Sequence, residues 1–542
     1  MIALYTDTDN PFSLYGIDHF MKKNGIPFVI NKPAQSGIVI AYGVRACGDF
    51  VITLGENDIK NSLCGQISMH GYKIPLCEMP SDTGSDREVI AHFDTGSRQY
   101  PCVTRNDHGF SIGVDIFKET GYQLSGHLDT IRPYLDRTGQ MELTSKPCVD
   151  FLEQILFDAI RTGCHERGIP LVQQSYWPHG KTFAVCLTHD VDEIKKTYQW
   201  ITRPLRFLLR GDLSGLKDQV RSVVHYFRGE EPYYTYDDLM TIERDLGVKS
   251  TYFILKESGN PNIRSKDTWY LFGRNRSLQS PRIQALIRQL VANGDEIATH
   301  GSYFSYKDPV LLTEETRELE QLINTRVIGT RQHNLNLEIP ATWIHQKNTG
   351  FEYDSTLGLI DTIGFRWGTS FPFFPNTVNG PIRLLEIPLI IMDICLEFSE
   401  DKESDCLRVA DETKRYNGVL TLLWHPPIFN TLEYPYARDL YIKINRYCLE
   451  KGAWITRARD ICEWLELRNK SSFTCEYDAS AKTCIITPDS DRYDHYLTLH
   501  LPPHTRSEIL SGNAKVITKS GDCEYIKAHD LQKNNAIIVR IS

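Results

Sequence analysis

Short apolar runs alternate with longer stripes of helical spacing along most of the chain, and the pattern changes character twice. Over residues 1–145, runs at Ile2–Tyr5, Phe28–Ile30, Ile38–Tyr42 and Phe50–Leu54 read as strands, and Leu14–Lys23 reads as a helix. This predicts an N-terminal α/β domain, an open sheet with helices on its faces. No glycine fingerprint follows any of these strands, so dinucleotide binding finds no support. Over residues 146–180, Val149, Leu152, Leu156, Ala159 and Ile160 mark the apolar face of a helical connector. Gly180–Thr182 spells the end of a phosphate loop, but Ser175 stands where that motif needs its first glycine.

From 181 to 468 strand and helix signals repeat. Phe183–Thr188, Ser250–Leu255, Glu296–Thr299, Val327–Gly329, Gly418–Trp424 and Ala453–Thr456 read as buried strands. Helices are predicted at Thr235–Leu246, from Pro281 to a stop at Gly294, from about Thr313, and through Ile461 and Trp464. Repeated β–α units favour a parallel sheet or barrel, with catalytic groups at the C-terminal strand ends. Over 469–542 helical spacing fades. Thr483–Thr487, Tyr496–Leu501, Ala514–Thr518 and Ala536–Ile541 predict a small C-terminal all-β domain.

Composition narrows the classes. A chain of 542 residues with a formal charge of −9 argues against a general nucleic-acid-binding surface. No apolar stretch is long enough to span a bilayer, and the N-terminus lacks the basic and apolar regions of a secretory signal. The 14 cysteines are scattered without a CxxC, as expected of reduced, buried thiols, and a cytoplasmic location follows as the expectation.

Five clusters carry candidate chemistry. In Leu187–Asp192 (LTHDVD), strand alternation turns Thr188, Asp190 and Asp192 to one side, with the two carboxylates about 7 Å apart along the strand. One could hold a cation while the other handles a proton, although a helix cap or turn uses the same residues. His300 ends a short strand, where it could be a metal ligand or a hydrogen-bonded structural histidine. In Gly329–His333 (GTRQH), Arg331 could orient a carboxylate or form a surface ion pair, and His333 follows two residues on. Gly350–Pro375 is rich in aromatics and glycine, as suits either a sugar cleft or an aromatic core. His425 directly follows an apolar strand and stands beside two prolines, a place for a general acid.

In order, these segments resemble the polysaccharide deacetylase family, the NodB-homology carbohydrate esterases. ANGDEIATHG is close to that family's second motif, KSTYFIL to its strand of the ATFFVLG type, and LTHDVD to the Asp-x-Asp variant of its first motif. The resemblance covers about 181–468 and implies a distorted (β/α) barrel with a divalent metal, often zinc. It implies that Asp190 is the general base, Asp192 and His300 metal ligands, and His425 the general acid, with Arg331 and Asp354 matching the third and fourth motifs. The family's second metal histidine falls at Phe304, which cannot bind a metal, so the third ligand comes from elsewhere. His333 is the candidate, with Ser302 or a water as alternatives.

The implied activity is removal of N- or O-acetyl groups from an acetylated sugar, oligosaccharide or lipid-linked glycan precursor. Hydrolysis of another C–N bond on the same barrel, or a catalytically degenerate glycan-binding protein, are the rival readings. The pattern leaves oligomerisation open.

Overall fold

The computed structural model describes residues 1–257, 276–489, 496–528 and 535–542. Its first sheet has nine strands, in the order 28–30, 2–6, 38–42, 50–54, 109–112, 99–106, 88–94, 65–69 and 72–76. The first five strands run parallel and the remainder pair antiparallel. The helix predicted as a connector is Cys148–Glu166, and it covers this sheet. Its Leu152, Ile155, Leu156 and Ile160 share one core with Ile38, Ile40, Phe50 and Ile52.

The second sheet is the one that builds the site. Its strands are β1 (Ala184–Val191), β2 (Thr251–Leu255), β3 (Glu296–Gly301), β4 (Gly329–Gln332), β5 (Tyr353–Asp354), β6 (Leu385–Glu386), β7 (Ile391–Met392), β8 (Val419–Leu423) and β9 (Trp454–Thr456). They lie in the order β6–β5–β4–β3–β2–β1–β8–β7, all parallel, and β9 pairs with the first half of β1. Both faces are covered, which is why these strands read as unbroken apolar runs. All residues of β1, β2, β3, β4 and β8 are buried.

The sheet curls into a half-barrel and does not close, since β6 and β7 do not pair with each other. Residues 387–390 bridge the gap instead. Ile387 and Leu389 donate backbone hydrogen bonds to Asp354 and Leu357 on one side, and Ile390 donates to Thr421 on the other. Pro388 between them has no N–H to offer a ladder.

Local signals explain the element ends. The helix Pro281–Asn293 starts with proline at its first position and stops at Gly294, whose φ of 85° is left-handed. The strand expected at Val327–Gly329 is instead Gly329–Gln332, because Val327 and Ile328 serve as core side chains just before the ladder begins. Gly329 is required there. A Cβ on it would fall 1.9 Å from the ring of Tyr353.

The C-terminal residues form two four-stranded antiparallel sheets. One of them includes Leu171–Gln174, contributed from before the half-barrel. Leu497, Leu499 and Ile526 of one sheet share a core with Ile486, Ile537 and Val539 of the other. All fourteen cysteines are free, and most are buried.

A buried ionic knot joins the first sheet's helices to the half-barrel. Lys23 Nζ lies 2.7 Å from both Asp150 and Glu153, all three nearly inaccessible. Asp150 also accepts hydrogen bonds from Thr369 Oγ1 and from the backbone N–H of Ser370. Replacing Lys23 by methionine strands two carboxylates away from water. It should cost about 3 to 5 kcal/mol, read as a lowered Tm in calorimetry, whereas Lys22→Met on the exposed side should shift Tm little.

Candidate active site

Four strand ends deliver the candidate residues to one place. Alternation along β1 puts Thr188 and Asp190 on one face, and Arg331 at the third position of β4 reaches both, donating from Nη1 at 2.9 Å to Thr188 Oγ1 and to Asp190 Oδ1. Its Nε donates to the Ser355 carbonyl and its Nη2 to Ser355 Oγ, at 2.8 and 2.9 Å. The guanidinium lies 4.3 Å from the ring centre of Phe253 and is 0% exposed. Of the alternatives for Arg331, the carboxylate clamp is therefore the one built. His189, between Thr188 and Asp190, turns to the opposite face, where its Nε2 lies 2.9 Å from Glu243.

The register His300↔Arg331 places His300 beside this pair. Its Nδ1–H donates to the Arg331 carbonyl at 2.9 Å, leaving the Nε2 lone pair to face Asp192 and His333. His300 Nε2 lies 3.2 Å from Asp192 Oδ1 and 3.2 Å from His333 Nδ1, and His333 Nδ1 lies 3.5 Å from Asp192 Oδ1. A tetrahedral ion with ligands at about 2.0–2.1 Å has ligand-to-ligand edges of about 3.3–3.4 Å. The three atoms thus outline one triangular face of such a site. Asp192 Oδ1 is buried without a hydrogen bond, as a ligand atom awaiting a cation would be. Asp192, His300 and His333 form the group able to hold a metal among the described residues, and their donor set suits zinc or a similar ion. Phe304 packs edge-on against Tyr303 and contributes no donor.

His425 stands on the open side, 16% exposed, with Nε2 3.7 Å from Asp192 Oδ2. Its Nδ1 lies 2.8 Å from Asp393 Oδ1, and its backbone N–H donates to Asp393 Oδ2. Asp393 is a site residue that motif reasoning passed over. The available signal was an aspartate ending the apolar run Pro388–Met392, just as Asp190 and Asp192 end theirs. Asp354 is a correction. It pairs in register with Thr330 and so faces away from Arg331's side of the sheet. Its carboxylate accepts from Trp343, Gln346 and Thr356, beside Glu386, which burial and Asp354 itself push well above the usual carboxylate range. Ser355, one residue on, takes the inward position.

The electrostatics follow from the crowding. Burial alone would raise Asp192, but His333 and His300 hold it well below its ordinary value. Burial alone would lower His300, yet Asp190 and Asp192 raise it. His425 is pushed up to about 10, since burial is outweighed by Asp393, then Asp192 and Asp190. A cleft of about 320 Å³ opens over Asp192, His333 and His425, walled by Tyr198, Tyr233 and Tyr434. The aromatics of 350–375 do not wall it. Phe351, Tyr353, Phe365, Trp367 and Phe373 are buried in the core.

No family model and no curated protein matches the chain. Among solved structures, Agd3, a carbohydrate deacetylase, is similar over 100% of this chain and 98% of its own, at 8% identity and a TM-score of 0.40. A Mycobacterium smegmatis protein assigned as a polysaccharide deacetylase is similar over 56% of this chain and 96% of its own, at 18% identity and a TM-score of 0.36. A Puue allantoinase is similar over 54% of this chain and 92% of its own, at 16% identity and a TM-score of 0.34. Deacetylases, the family that the sequence motifs resemble, are thus among the solved structures to which the chain is similar. No helix among the described residues is long and apolar enough to cross a membrane.

Replacing one of three ligands should weaken metal binding at least about 100-fold. In a competition titration with a chromophoric chelator, Zn²⁺ should bind one ion per chain, His333→Ala should lose that affinity, and Phe304→Ala should keep it. Equal affinity in all three proteins would remove His333 from the ligand set.

Proposed function

We propose that the cleft is the active site of a metal-dependent deacetylase acting on an acetylated sugar or glycan precursor. One observation carries the reading: a three-ligand face made by Asp192, His300 and His333 lies between a clamped carboxylate, Asp190, and an oriented histidine, His425. These are the parts that acyl hydrolysis needs, in reach of one small substrate. A divalent cation held by the three ligands would polarise the acyl carbonyl and acidify a water.

The chain's own residues divide the proton work. Asp190 has Oδ1 occupied by Arg331 and turns Oδ2 to the ligand cluster, 3.4 Å from His300 Nε2, placed to take a proton from the attacking water. His425, kept protonated by Asp393, donates a proton to the departing nitrogen or oxygen from the open side. Arg331 positions Asp190. Tyr198, Tyr233 and Tyr434 line the cleft, with the Tyr233 hydroxyl held by Glu433 and Arg203 over the ring of Tyr434.

Acetate and ammonia release from a panel of acetylated sugars, amides and ureides, with metal content measured on the same protein, tests the reading. Acetate is the expected product, and ammonia without acetate would instead favour hydrolysis of another C–N bond. Asp190→Asn should lower kcat about 10³-fold with the metal retained, and His425→Asn should lower it about 10²-fold or more. Asp393→Ala should lower kcat in the same direction as His425→Asn while leaving KM within a few-fold, because it acts through His425. Release of acetate by Asp190→Asn at the wild-type rate would end the assignment.

A further inference from the structure

Beside the cleft, two helices break the usual rule that an apolar stripe faces a core. Gln199–Leu209 and Leu213–Phe227 pack against each other as a hairpin joined at Gly211–Asp212. In the first, Ile201, Leu205, Leu208 and Leu209 recur at helical spacing, and all four are solvent-exposed. The second repeats the pattern from Leu213 through Val220 and Val224 to Phe227. Leu209 is 79% and Phe227 82% exposed. Of the 24 large apolar side chains that are exposed among the described residues, ten fall within positions 201–227. A surface this apolar and this contiguous marks something it docks against.

The charge on the same segment says what that is. Residues 195–228 carry eight lysines and arginines against two aspartates; Lys196, Arg203 and Arg206 pair with Glu433 and Glu397 outside the segment, and the other five still outnumber the aspartates in a chain whose formal charge is −9. Arg210, Lys217 and Arg228 are exposed at the rim of the apolar stripes. A second copy of the hairpin would bring a like surplus against this one. An anionic surface that also accepts apolar side chains satisfies both features.

The base of the hairpin is fixed while its apolar side is open. Lys196 Nζ, buried, donates to Gln219 of the second helix and to Glu433 of the half-barrel. Tyr198, Gln199 and Arg203 at the start of the first helix line the cleft itself. Whatever the hairpin rests on therefore lies next to the mouth over Asp192 and His425. Neither helix can span a bilayer, so the hairpin would lie in its surface.

We propose that this hairpin docks the protein on an anionic bilayer and so brings the cleft to saccharides tethered to lipid. Docking stands on the hairpin alone, and the tethered-saccharide part rests on the deacetylase reading. The full-length protein is pelleted with vesicles of phosphatidylcholine alone and of phosphatidylcholine with phosphatidylglycerol in equal parts. Binding at least tenfold tighter to the anionic vesicles is expected, weakening as salt is raised. Leu205→Glu/Leu209→Glu/Phe227→Glu should abolish pelleting, and Arg210→Glu/Lys217→Glu/Arg228→Glu should remove the preference for anionic lipid. Ile360→Glu, at an exposed apolar site outside the hairpin, should change nothing.

Wild-type protein that stays in the supernatant with both vesicles would overturn the proposal. So would a dimer, seen by light scattering, that the triple glutamate variant splits, since the patch would then cover a second copy. Acetate release from an acetylated lipid-linked saccharide should fall in that variant while release from a soluble acetylated sugar holds. Pelleting without acetate release from any substrate would keep the docking and reject the deacetylase reading.

Discussion

A guanidinium removed from water is the constraint on which the site depends. Arg331 cannot shed its charge, so burial at 0% exposure demands a carboxylate and a full set of acceptors. Asp190 supplies the charge, and Thr188 and Ser355 supply the remaining oxygens. The clamp locks β1 to β4 and to the turn after β5. It also splits Asp190, taking one oxygen and leaving the other to face His300. The same residue acts a second time through its backbone, because the Arg331 carbonyl accepts from His300 Nδ1 and so fixes which nitrogen of His300 faces the ligand cluster.

That register explains how a ligand can move between strands. A metal face needs donor atoms at the right separations and is indifferent to where they sit in sequence. With His300 beside Arg331, the residue two positions beyond Arg331 rises next to the turn that follows His300. His333 therefore reaches a point that Phe304, packed on Tyr303, does not serve.

Legibility in the sequence followed the same physics. Long periodic segments such as Pro281–Gly294 were readable because cap and stripe agree. Strands of two residues, as at β5, β6 and β7, leave no period to detect. Leu171–Gln174 could not be assigned to its sheet, because its partner Tyr496–His500 lies over 300 positions away. Asp190, Asp192, His300, Arg331, His333 and His425 were readable as strand-end residues in motif context, and the structure brings all six together. Asp354 was misplaced by one residue of alternation, since only the pairing with Thr330 reveals which face it takes. Asp393 escaped because its meaning lies in a contact with His425, 32 positions on.

Charge balance ties these pieces to the choice of cation. Asp190, Asp192 and Asp393 crowd the ligand face, and of the three only Asp190 is paired with Arg331. The deficit shows in the histidines, with His300 and His425 both raised. Positive charge can reach the ligand face as a proton on His300 or as a metal ion, but not as both, because the lone pair that binds the ion is the one that takes the proton. His425 escapes this competition. It lies outside the ligand face and answers chiefly to Asp393, so it can stay protonated while the ligand histidines are neutral. On the proposed reading, the separation gives the cluster a cation site and a proton donor side by side, with Asp393 the residue that keeps the two roles from collapsing into one.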